Sequence, residues 1–514
     1  MTEQKKKDAV FTSQLQDNTE TLDGILEFST DLLRREFVIH ADSNRHGICY
    51  LTDGLVSNTD IQLILKTLLL YGQAINGNWQ QSLDSFEQIK QQLMVNCSIR
   101  TVTKLDDGIN GILSGETLVL LDGYAEGLLI TTKAWESRSI TEPATDTVVR
   151  GPRDGFTENI RTNTSLVRKR IKDPQFRLEA MVVGNKTRTD INIAYMKGTV
   201  KDGLVEEVRQ RLQKIDIDGV LESGYIEELI EDAPLSVFST IASTERPDKV
   251  ASALLEGRVA IFVDNTPFVL LLPTFFWQFF QASDDYYSRY WVGSFFRIVR
   301  YIAFLISLML PSLYVMLVSF HQEMIPSMLA FTIASGREVV PFPVLVEAIM
   351  MELAFELMRE AGLRMPKPVG QAVSIVGSLI IGQAAVQAGL VSPFMVIVVA
   401  VTGIASFAIP NYSASIAIRL LRFPLLIASG MLGLLGFAAV FFMVVIHALS
   451  IRSFGESYLA PAAPFRPSDQ KDIVLRFPWW SIKRPPSFSK EQRRQGKNTM
   501  PKPSGGQSGG PERG

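Results

Sequence analysis

The fold of this chain is decided by residues 368–451, which read PVGQAVSIVGSLIIGQAAVQAGLVSPFMVIVVAVTGIASFAIPNYSASIAIRLLRFPLLIASGMLGLLGFAAVFFMVVIHALSI. The stretch holds only two charged side chains, Arg419 and Arg422, in a protein of 514 residues of which 20% are charged. Its length exceeds the roughly 20 residues that one membrane-spanning helix needs. The stretch therefore predicts two or more spans laid end to end, and a protein that works at a membrane.

The remaining composition divides the chain into a charged first half and an apolar second half. The net charge of −2 averages over both halves, so it indicates nothing about partners. The N-terminus begins MTEQKKK, but no apolar stretch follows, which excludes a secretory signal. We therefore expect the first half to stay cytosolic. Cys49 and Cys97 lack metal-ligand spacing and are predicted to be reduced packing residues.

A cytosolic α/β region, possibly of two lobes, is predicted for residues 21–275, after a disordered N-terminus at 1–20. Short β-like runs at 117–123 and 126–132 alternate with helical stretches such as 60–75. The sequence DGYAEG between the two runs predicts a hairpin turn.

The apolar run VAIFVDNTPFVLLLP (259–273) resembles a span but is divided by Asp264 and Asn265. A lone aspartate in the middle of a membrane is costly, and Asp-Asn suits a tight turn. This run therefore predicts a second β-hairpin.

An all-α transmembrane domain is predicted for residues 298–451, after an aromatic segment at 276–297. The aromatic segment is expected to lie at the membrane interface, or alternatively to pack on the soluble region. About four spans are expected, at 298–320, 369–389, 393–409 and 424–448.

Four crossings return the chain to the cytosol, so both termini are expected to be cytosolic. The tail at 452–514 is rich in proline and glycine and is predicted to be mostly disordered. From 462 to 514 it carries eleven Lys and Arg against four Asp and Glu, as expected of a cytosolic segment.

Arg419 and Arg422 conflict with this topology, because they would fall in an external loop after the third span. Basic residues tend to lie on the cytoplasmic side. Either that loop dips back into the protein, or the helix at 343–361 also crosses the membrane. Both arginines are therefore candidate intramembrane charges.

Small residues form a stripe along the span at 369–389. Successive members are three or four residues apart and share one helical face, which lets another backbone approach closely in lipid. The predicted stripe consists of Gly370, Ser374, Ser378, Gly382, Ala385 and Gly389, of which the five glycines and serines are the predicted helix-packing residues. Gln371 and Gln383 lie near this face, so the face either packs against a helix or borders a hydrated path.

The segment PFPVLVEAIMMELAFELMREAGLRMPKP (341–368) predicts an amphipathic helix between proline stops. Glu352, Glu356 and Glu360 lie on one face, where like charges four residues apart repel. A ring of such helices would form an acidic vestibule for cations, which makes these glutamates candidate ion-path residues. The alternative is an interfacial helix with a solvated polar face.

Catalytic motifs are absent from the sequence. It contains no GxxxxGK[ST], GxSxG or HExxH, and its four histidines are scattered without metal spacing. We therefore predict neither an enzyme nor a metal site, cofactor or nucleic-acid partner.

Several long stretches resemble the A-subunit family of GerA-type spore germinant receptors. They include VVRGPRDGFTENIRTNTSLVRKRIKDP, IDIDGVLESGYIEELIEDAP and ASALLEGRVAIFVDNTPFVLLLPTFF. The most specific is ELMREAGLRMPKPVGQAVSIVGSLIIGQAAVQAGLVSP, followed by IRLLRFP and RSFG. The resemblance covers roughly residues 30–465. The chain departs from it at Asn265, where glycine is expected in the hairpin.

This resemblance implies a subunit in the spore inner membrane that acts in germination. It implies a multi-span B subunit and a lipoprotein C subunit as partners, and a homo-oligomer that conducts ions when a germinant is sensed. Two alternatives stay open: a signalling scaffold whose spans only anchor it, and a secondary transporter. The lack of a recognisable inverted repeat disfavours the transporter.

Overall fold

The structure, a computed structural model, was determined for the whole chain. The residues it describes are 9–27, 29–40, 45–74, 90, 98–133, 142–143, 145–365, 382–467 and 469–481. They form two α/β lobes, a helical region and a C-terminal segment that packs between them. The prediction of an α/β region followed by a helical region is confirmed.

The first lobe is built on a five-stranded antiparallel sheet whose strands lie in the order β1-β2-β4-β5-β3. The strands are β1 (Leu32–His40), β2 (Arg45–Thr52), β3 (Ile99–Val102), β4 (Glu116–Leu121) and β5 (Gly127–Thr131). Its helices are α1 (Leu15–Leu26), α2 (Asn58–Ala74) and α3 (Leu105–Leu113).

Both faces of this sheet are covered, because alternate side chains of a strand point to opposite faces. On one face Leu51 and Val119 pack with Ile64 and Leu68 of α2. On the other face, the neighbouring residues of the same strands, such as Leu118 of β4, pack against α1 and α3. The lobe is therefore a three-layer sandwich with near-continuous apolar central strands.

The second lobe has a sheet with strands in the order β6-β7-β9-β10-β8, again antiparallel. The strands are β6 (Phe176–Val183), β7 (Thr189–Met196), β8 (Ala242–Thr244), β9 (Val259–Val263) and β10 (Val269–Leu272). Its helices are α4 (Ile160–Arg168), α5 (Leu204–Gln213), α6 (Ser223–Ile230) and α7 (Pro247–Leu255). Helices α4 and α7 cover one face, and α5 and α6 cover the other.

The two lobes repeat one topology. Each begins with a helix, continues with a hairpin, crosses over through helical structure to an edge strand, and ends with a helix and a second hairpin. The crossover contains α2 in the first lobe and both α5 and α6 in the second. The two sheets have the same strand order, since strands β1 to β5 of the first lobe correspond in turn to β6 to β10 of the second. The α/β region is therefore an internal duplication.

A short sequence motif marks the duplication: FT followed by five residues and N, at residues 11–18 and 156–163. The Asn18 side chain accepts from the backbone N–H of Thr12 at 2.9 Å and donates to the Thr12 carbonyl at 2.7 Å. Asn163 makes the same two bonds with Thr157, at 2.7 and 2.6 Å. In both lobes this bridge orients the first helix.

The hairpin turn of each lobe holds the start of that first helix. Asp122 Oδ1 accepts from the backbone N–H of Leu15 at 3.4 Å, and Asp264 Oδ1 accepts from Ile160 at 3.1 Å. Each carboxylate thus satisfies an N–H that would otherwise lack a partner at a helix N-terminus.

The residue after each aspartate has a positive φ, +90° at Gly123 and +68° at Asn265. Glycine and asparagine both tolerate this conformation, so Asn265 supports the same turn that glycine supports in the first lobe. Both predicted hairpins, at DGYAEG and at Asp264-Asn265, are confirmed.

The two lobes are joined by a buried ion pair. Arg168, at the end of α4, is fully buried and donates from Nε to Asp31 of the first lobe at 2.7 Å. Its Nη2 also donates to Asp31 and to Ser29. One of the basic side chains of the stretch at 151–174 is thus used inside the protein.

The structure differs from the predicted disorder of residues 1–20. Phe11 and Leu15 are buried, and the backbone of Phe11 donates to the Thr103 carbonyl. The segment is polar overall, so its composition did not reveal the few apolar residues that anchor it. Residues 1–8 lie outside the described residues.

The helical region follows the second lobe. Its helices are α8 (Asp284–Tyr287), α9 (Tyr290–Phe320), α10 (Ser327–Arg337), α11 (Val344–Arg364), α12 (Pro393–Phe407) and α13 (Tyr412–Ser450). Among the described residues, α9 and α13 are long and apolar enough to cross a membrane, and α12 is apolar but shorter.

Helix α13 reverses direction at Gly433, whose φ of 60° and ψ of −135° are not helical. Ala417 and Ala448 pack in one apolar cluster with Phe238, although a straight helix would separate these alanines by about 46 Å. The stretches 412–432 and 434–450 therefore form a helical hairpin. The stretch at 424–448, predicted as a single span, is thus divided at Gly433.

The helix at 412–432 runs antiparallel to α11. Leu345 packs on Gly430 near one end, and Glu356 pairs with Arg419 nearer the other. It runs parallel to α9, because Arg422 bonds to Ser307 and Gly433 adjoins the end of α9.

Helix α12 runs parallel to α11. The backbone N–H of Ser392, just before α12, donates to Glu347, and Ser406, near its end, accepts from Arg359. Among the described residues, five stretches thus run between two ends of the region: 290–320 and 412–432 in one direction, and 344–364, 393–407 and 434–450 in the other.

The structure also differs from the predicted disorder of the tail at 452–514. Residues 452–467 and 469–481 pack between the second lobe and the base of α9. Tyr458 is buried, its carbonyl accepts from the backbone of Phe276, and that of Leu459 accepts from Trp277 Nε1. Composition did not reveal this packing, because the anchoring residues are dispersed.

The aromatic segment at 276–297 packs between these parts. Phe279 and Phe280 are buried, and Phe280 contacts Tyr301 and Phe304 of α9. Phe279 packs in one cluster with Phe238 of the second lobe, so this side of the segment packs on the soluble region, as the alternative predicted, and on α9. Trp291, by contrast, is exposed.

Candidate functional site: charges inside the helical region

Helix α11 carries more charged side chains than any other helix of the helical region. Its limits follow from the sequence: Pro343 precedes it, and Met365 leaves the helical conformation with ψ 153° directly before Pro366. Glu347 and Glu352 are fully buried on it, and Glu356 is three-quarters buried. Because buried carboxylates are costly, each needs a partner.

Glu352 is paired with Arg422 of the helical hairpin. Both side chains are buried, with 0% and 1% of their surfaces exposed, and Arg422 Nη1 lies 2.5 Å from Glu352 Oε2. Arg422 also donates to the backbone carbonyl of Ser307 at 2.8 Å and to its hydroxyl at 3.1 Å. This cluster connects α9, α11 and α13.

One turn further along α11, Glu356 pairs with Arg419 at 2.6 Å. Arg359 donates to the Ser406 hydroxyl at 2.6 Å, and its guanidinium lies 4.3 Å from the centre of the Phe407 ring. The other Glu356 oxygen, Oε1, is buried without a hydrogen-bond partner. Among the described residues, the Oε1 atoms of Glu352 and Glu356 are both enclosed in this way without a hydrogen-bond partner.

A third buried carboxylate, Glu347, lies at the opposite end of α11. Arg337, the last residue of α10, reaches it at 3.0 Å, and the backbone N–H of Ser392 donates to it at 2.9 Å. Three segments of the chain meet at this carboxylate, so its role is to hold them together.

An open cavity of about 300 Å³ lies beside Glu356 on the outside of the helical region. It is lined by Leu353, Glu356, Leu357, Arg359, Glu360, Leu363, Tyr412 and Arg419. Leu353, Leu357 and Leu363 are 49%, 71% and 60% exposed. The cavity is thus a charged recess with an apolar rim.

A second charged cluster lies at the base of α9, where the second lobe and the C-terminal segment meet. Asp285 is buried and pairs with Arg297 at 3.2 Å and Arg300 at 2.8 Å. Arg297 also pairs with Asp472 at 2.8 Å. Burial raises the pKa of Tyr286, whose hydroxyl donates to Asp472 at 2.6 Å, and this carboxylate raises it further.

The sequence was then compared with known families. The profile of the family described as "Bacillus/Clostridium GerA spore germination protein" matches residues 20–488. The chain belongs to the GerA spore germination protein family. This family consists of germinant receptor subunits and is not a known enzyme family, which agrees with the resemblance drawn from the motifs.

Relatives of this GerA-family chain match it over most of both lengths. Spore germination protein KA of Bacillus subtilis is 47% identical over 92% of this chain and 87% of its own length. Spore germination protein B1 of Bacillus subtilis is 40% identical over 92% and 97%. GerLA of Bacillus cereus is 39% identical over 89% and 92%.

A solved structure also matches part of the chain. It is the N-terminal domain of the A subunit of the Bacillus megaterium spore germinant receptor GerK3. The match has 34% identity and a TM-score of 0.42, and it covers 52% of this chain and 98% of that one.

The structure separates the residues that the sequence grouped on α11. Glu356 and Glu360 line the cavity, whereas Glu352 lies in the interior with Arg422. Arg419 and Arg422 lie inside a helix of the GerA-family helical region rather than in a loop. Their pairing with the glutamates is a result of the fold.

The predicted stripe is described only in part. Gly382 is buried and adjoins Val396, while Gly389 has a positive φ of 66° and begins the turn GLVSP at 389–393. Gln383 is exposed. Four predicted residues lie outside the described residues: Gly370, Gln371, Ser374 and Ser378.

Sequence reasoning missed three participants: Ser307, Arg337 and Glu347. Glu347 lies off the helix face that carries the other glutamates, which was a usable signal. No pattern in the sequence marked Arg337 as the partner of Glu347, or Ser307 as a partner of Arg422. Among the residues that the structure describes, no group of three or more His, Cys, Asp or Glu side chains is arranged to hold a metal ion.

Proposed function

We propose that this chain is the A subunit of a nutrient germinant receptor in the spore inner membrane, and that copies of it form a germinant-gated cation path. A membrane B subunit and a lipoprotein C subunit are the proposed partners. The observation that carries the proposal is the open, charged cavity beside Glu356, which lies between apolar helices.

The membrane placement rests on the helical region. The stretches 290–320, 412–432 and 434–450 are apolar, and each has a length near that of a span. Helices α11 and α12 run beside them between the same two ends. Since 290 and 450 adjoin the α/β lobes, we place both lobes and both termini on the cytosolic side. This makes five passes among the described residues, more than the four first expected in total, and the predicted span at 369–389, which lies mostly outside the described residues, is the sixth that leaves both ends on one side.

The cavity cannot face lipid without cost, because Glu356, Glu360, Arg359 and Arg419 would then lie against hydrocarbon. The exposed leucines around it suit contact with another protein surface. A second copy of the chain would cover the apolar rim and leave the charged recess as a hydrated path.

Cation preference is proposed from the carboxylates. Carboxylate rings select cations in pores, and Glu356 Oε1 has no hydrogen-bond partner. Glu360 is more exposed and, among the described residues, pairs with Arg364 at 2.6 Å on the surface. Glu352 is excluded from the path, since Arg422 covers it.

The test is a conductance measurement of the reconstituted receptor, with its B and C subunits, before and after addition of germinant. Glu356→Gln and Glu360→Gln are expected to lower cation selectivity. Glu338→Gln is the matched control, since Glu338 is exposed at the other end of the region, beyond α10. Equal selectivity in all variants would remove these glutamates from the path.

The oligomeric state provides a second test. A mass measurement of the purified chain in lipid is expected to show more than one copy. A stable monomer without conductance under any germinant would contradict the path and favour the signalling scaffold.

A further inference from the structure

We infer that the turn at residues 233–236 touches the bilayer surface and inserts Leu235 into the boundary between headgroups and acyl chains. This inference rests on the proposed membrane placement of the helical hairpin. It adds a lipid contact made by the second α/β lobe itself, outside the helices.

Leu235 lies at the apex of a β-turn closed by a hydrogen bond from the Ser236 backbone N–H to the Ala233 carbonyl, at 2.9 Å. Its side chain is 100% exposed, and that of Val237 is 39% exposed. Polar residues and glycine usually occupy such apices. A leucine that is covered by none of the described residues is stabilised by an apolar environment outside them.

The turn lies directly at the end of the helical hairpin. The Ser236 hydroxyl is hydrogen-bonded to His447 Nε2 at 2.8 Å, and the ring of Phe238 stacks on His447 with centres 6.2 Å apart. His447 belongs to the last turn of α13, which ends at Ser450. The residue that follows Leu235 thus contacts the end of a span.

The neighbouring surface of this span is apolar and continuous with the turn. Phe442, Met443 and Ile446 are 61%, 67% and 65% exposed in the turns before His447. The next charged residue after them, Arg452, is exposed just beyond the helix end. Basic residues gather at the cytosolic boundary of a membrane, so the boundary lies at the level of the turn.

The composition of the turn also suits lipid. Residues 233–244 contain no charged side chain. The aspartate just before them, Asp232, is already engaged: it pairs with Arg211 at 2.6 Å and accepts from the backbone N–H of Phe454. The apex thus presents apolar groups without a charge that would oppose insertion.

The inference is tested with a polarity-sensitive fluorophore on single cysteines of the full chain, in a Cys49→Ala, Cys97→Ala background. The chain is placed in phosphatidylcholine nanodiscs, with spin labels near the headgroup or deep in the acyl chains. Labels are placed at Leu235→Cys, at Ile446→Cys as the span control, and at Val182→Cys as the soluble control. Val182 is 56% exposed and pairs with Asp190, near the Asp264 turn, away from the spans.

The probe at Leu235 is expected to lose about half of its fluorescence to the shallow spin label, because interfacial side chains reach roughly 5–10 Å into the boundary. The probe at Ile446 should be quenched by the deep label, and that at Val182 by neither. Quenching at Ile446 without quenching at Leu235 would overturn the inference and leave the span intact. Loss of quenching at both sites would instead overturn the membrane placement, and a blue-shifted but unquenched Leu235 probe would assign the turn to a protein partner.

Discussion

Arg422 and Glu352 form an ion pair in which both side chains are buried among three helices, 70 positions apart in the chain. The charges that the sequence seemed to offer to an ion path are thus divided between two tasks. The pair at Glu352 holds the helices together, while Glu356 and Glu360 face the cavity.

Removing one member of this pair should strongly destabilise the protein. Glu352→Gln or Arg422→Leu leaves a buried charge unpaired, which costs about 3–5 kcal/mol. The double variant should recover part of this loss, since neither charge then remains. Thermal unfolding in lipid nanodiscs measures the effect.

The surface pair of Glu360 and Arg364, with side chains 58% and 80% exposed, is the control, and Glu360→Gln should change the unfolding temperature far less. Additive single effects would show that the two residues do not interact.

Gly433 should be intolerant of any side chain. Its φ of 60° and ψ of −135° are strained for other residues, at a cost of order 1–3 kcal/mol, and an added Cβ would lie 3.0 Å from Phe320. Gly433→Ala is therefore expected to lower the unfolding temperature. Gly455→Ala is the control, because Gly455 also has a positive φ but has open space around it. If both variants lower the unfolding temperature equally, close packing at the hairpin turn contributes nothing to stability.

The bridge between the lobes should be as sensitive as the pair in the helical region. Asp31→Ala leaves Arg168 buried without its main partner, which is expected to cost about 3–5 kcal/mol. Asp218→Ala removes the partner of Lys186 in a pair whose side chains are 70% and 76% exposed, and should have little effect. Limited proteolysis and thermal unfolding of the full chain compare the two. Unchanged protease resistance in Asp31→Ala would contradict a joining role.

Stability should depend on pH through Glu231. Burial, together with the carboxylates of Glu227, Glu228 and Asp232, raises the pKa of Glu231 to about 7, whereas an unfolded glutamate has a pKa of about 4.3. The folded state therefore favours the protonated form. Its stabilising contribution is complete below the unfolded pKa and disappears as the pH rises through 7.

Glu231→Gln imitates the protonated form, so it should raise the unfolding temperature near about pH 8 and leave it unchanged near about pH 4. Glu20→Gln, at an exposed position of α1, should show no such pH-dependent difference. A Glu231→Gln variant that matches the parent at both pH values would contradict the raised pKa.

Much of the architecture could be predicted because the signals are local. The turn at Asp264-Asn265 and the limits of α11 at its prolines depend on conformational preferences of neighbouring residues. The FT motif at Thr12 and Thr157 was also readable, but two positions 145 residues apart reveal a duplication only when both sheets are seen. The reversal at Gly433 was missed because a glycine in an apolar run suits helix packing as well as a turn.

The sequence by itself determined the α/β region, the apolar helices and the family, because composition, periodicity and long motifs carry these in neighbouring residues. Only the tertiary structure decided which charges meet: Arg168 with Asp31, Arg422 with Glu352, and Arg337 with Glu347. The physical reason is that the energy of a buried charge depends on the partner that folding brings within about 3 Å. No local pattern encodes that distance, so the separation of Glu352 from the cavity of Glu356 and Glu360 is a property of the packed helices.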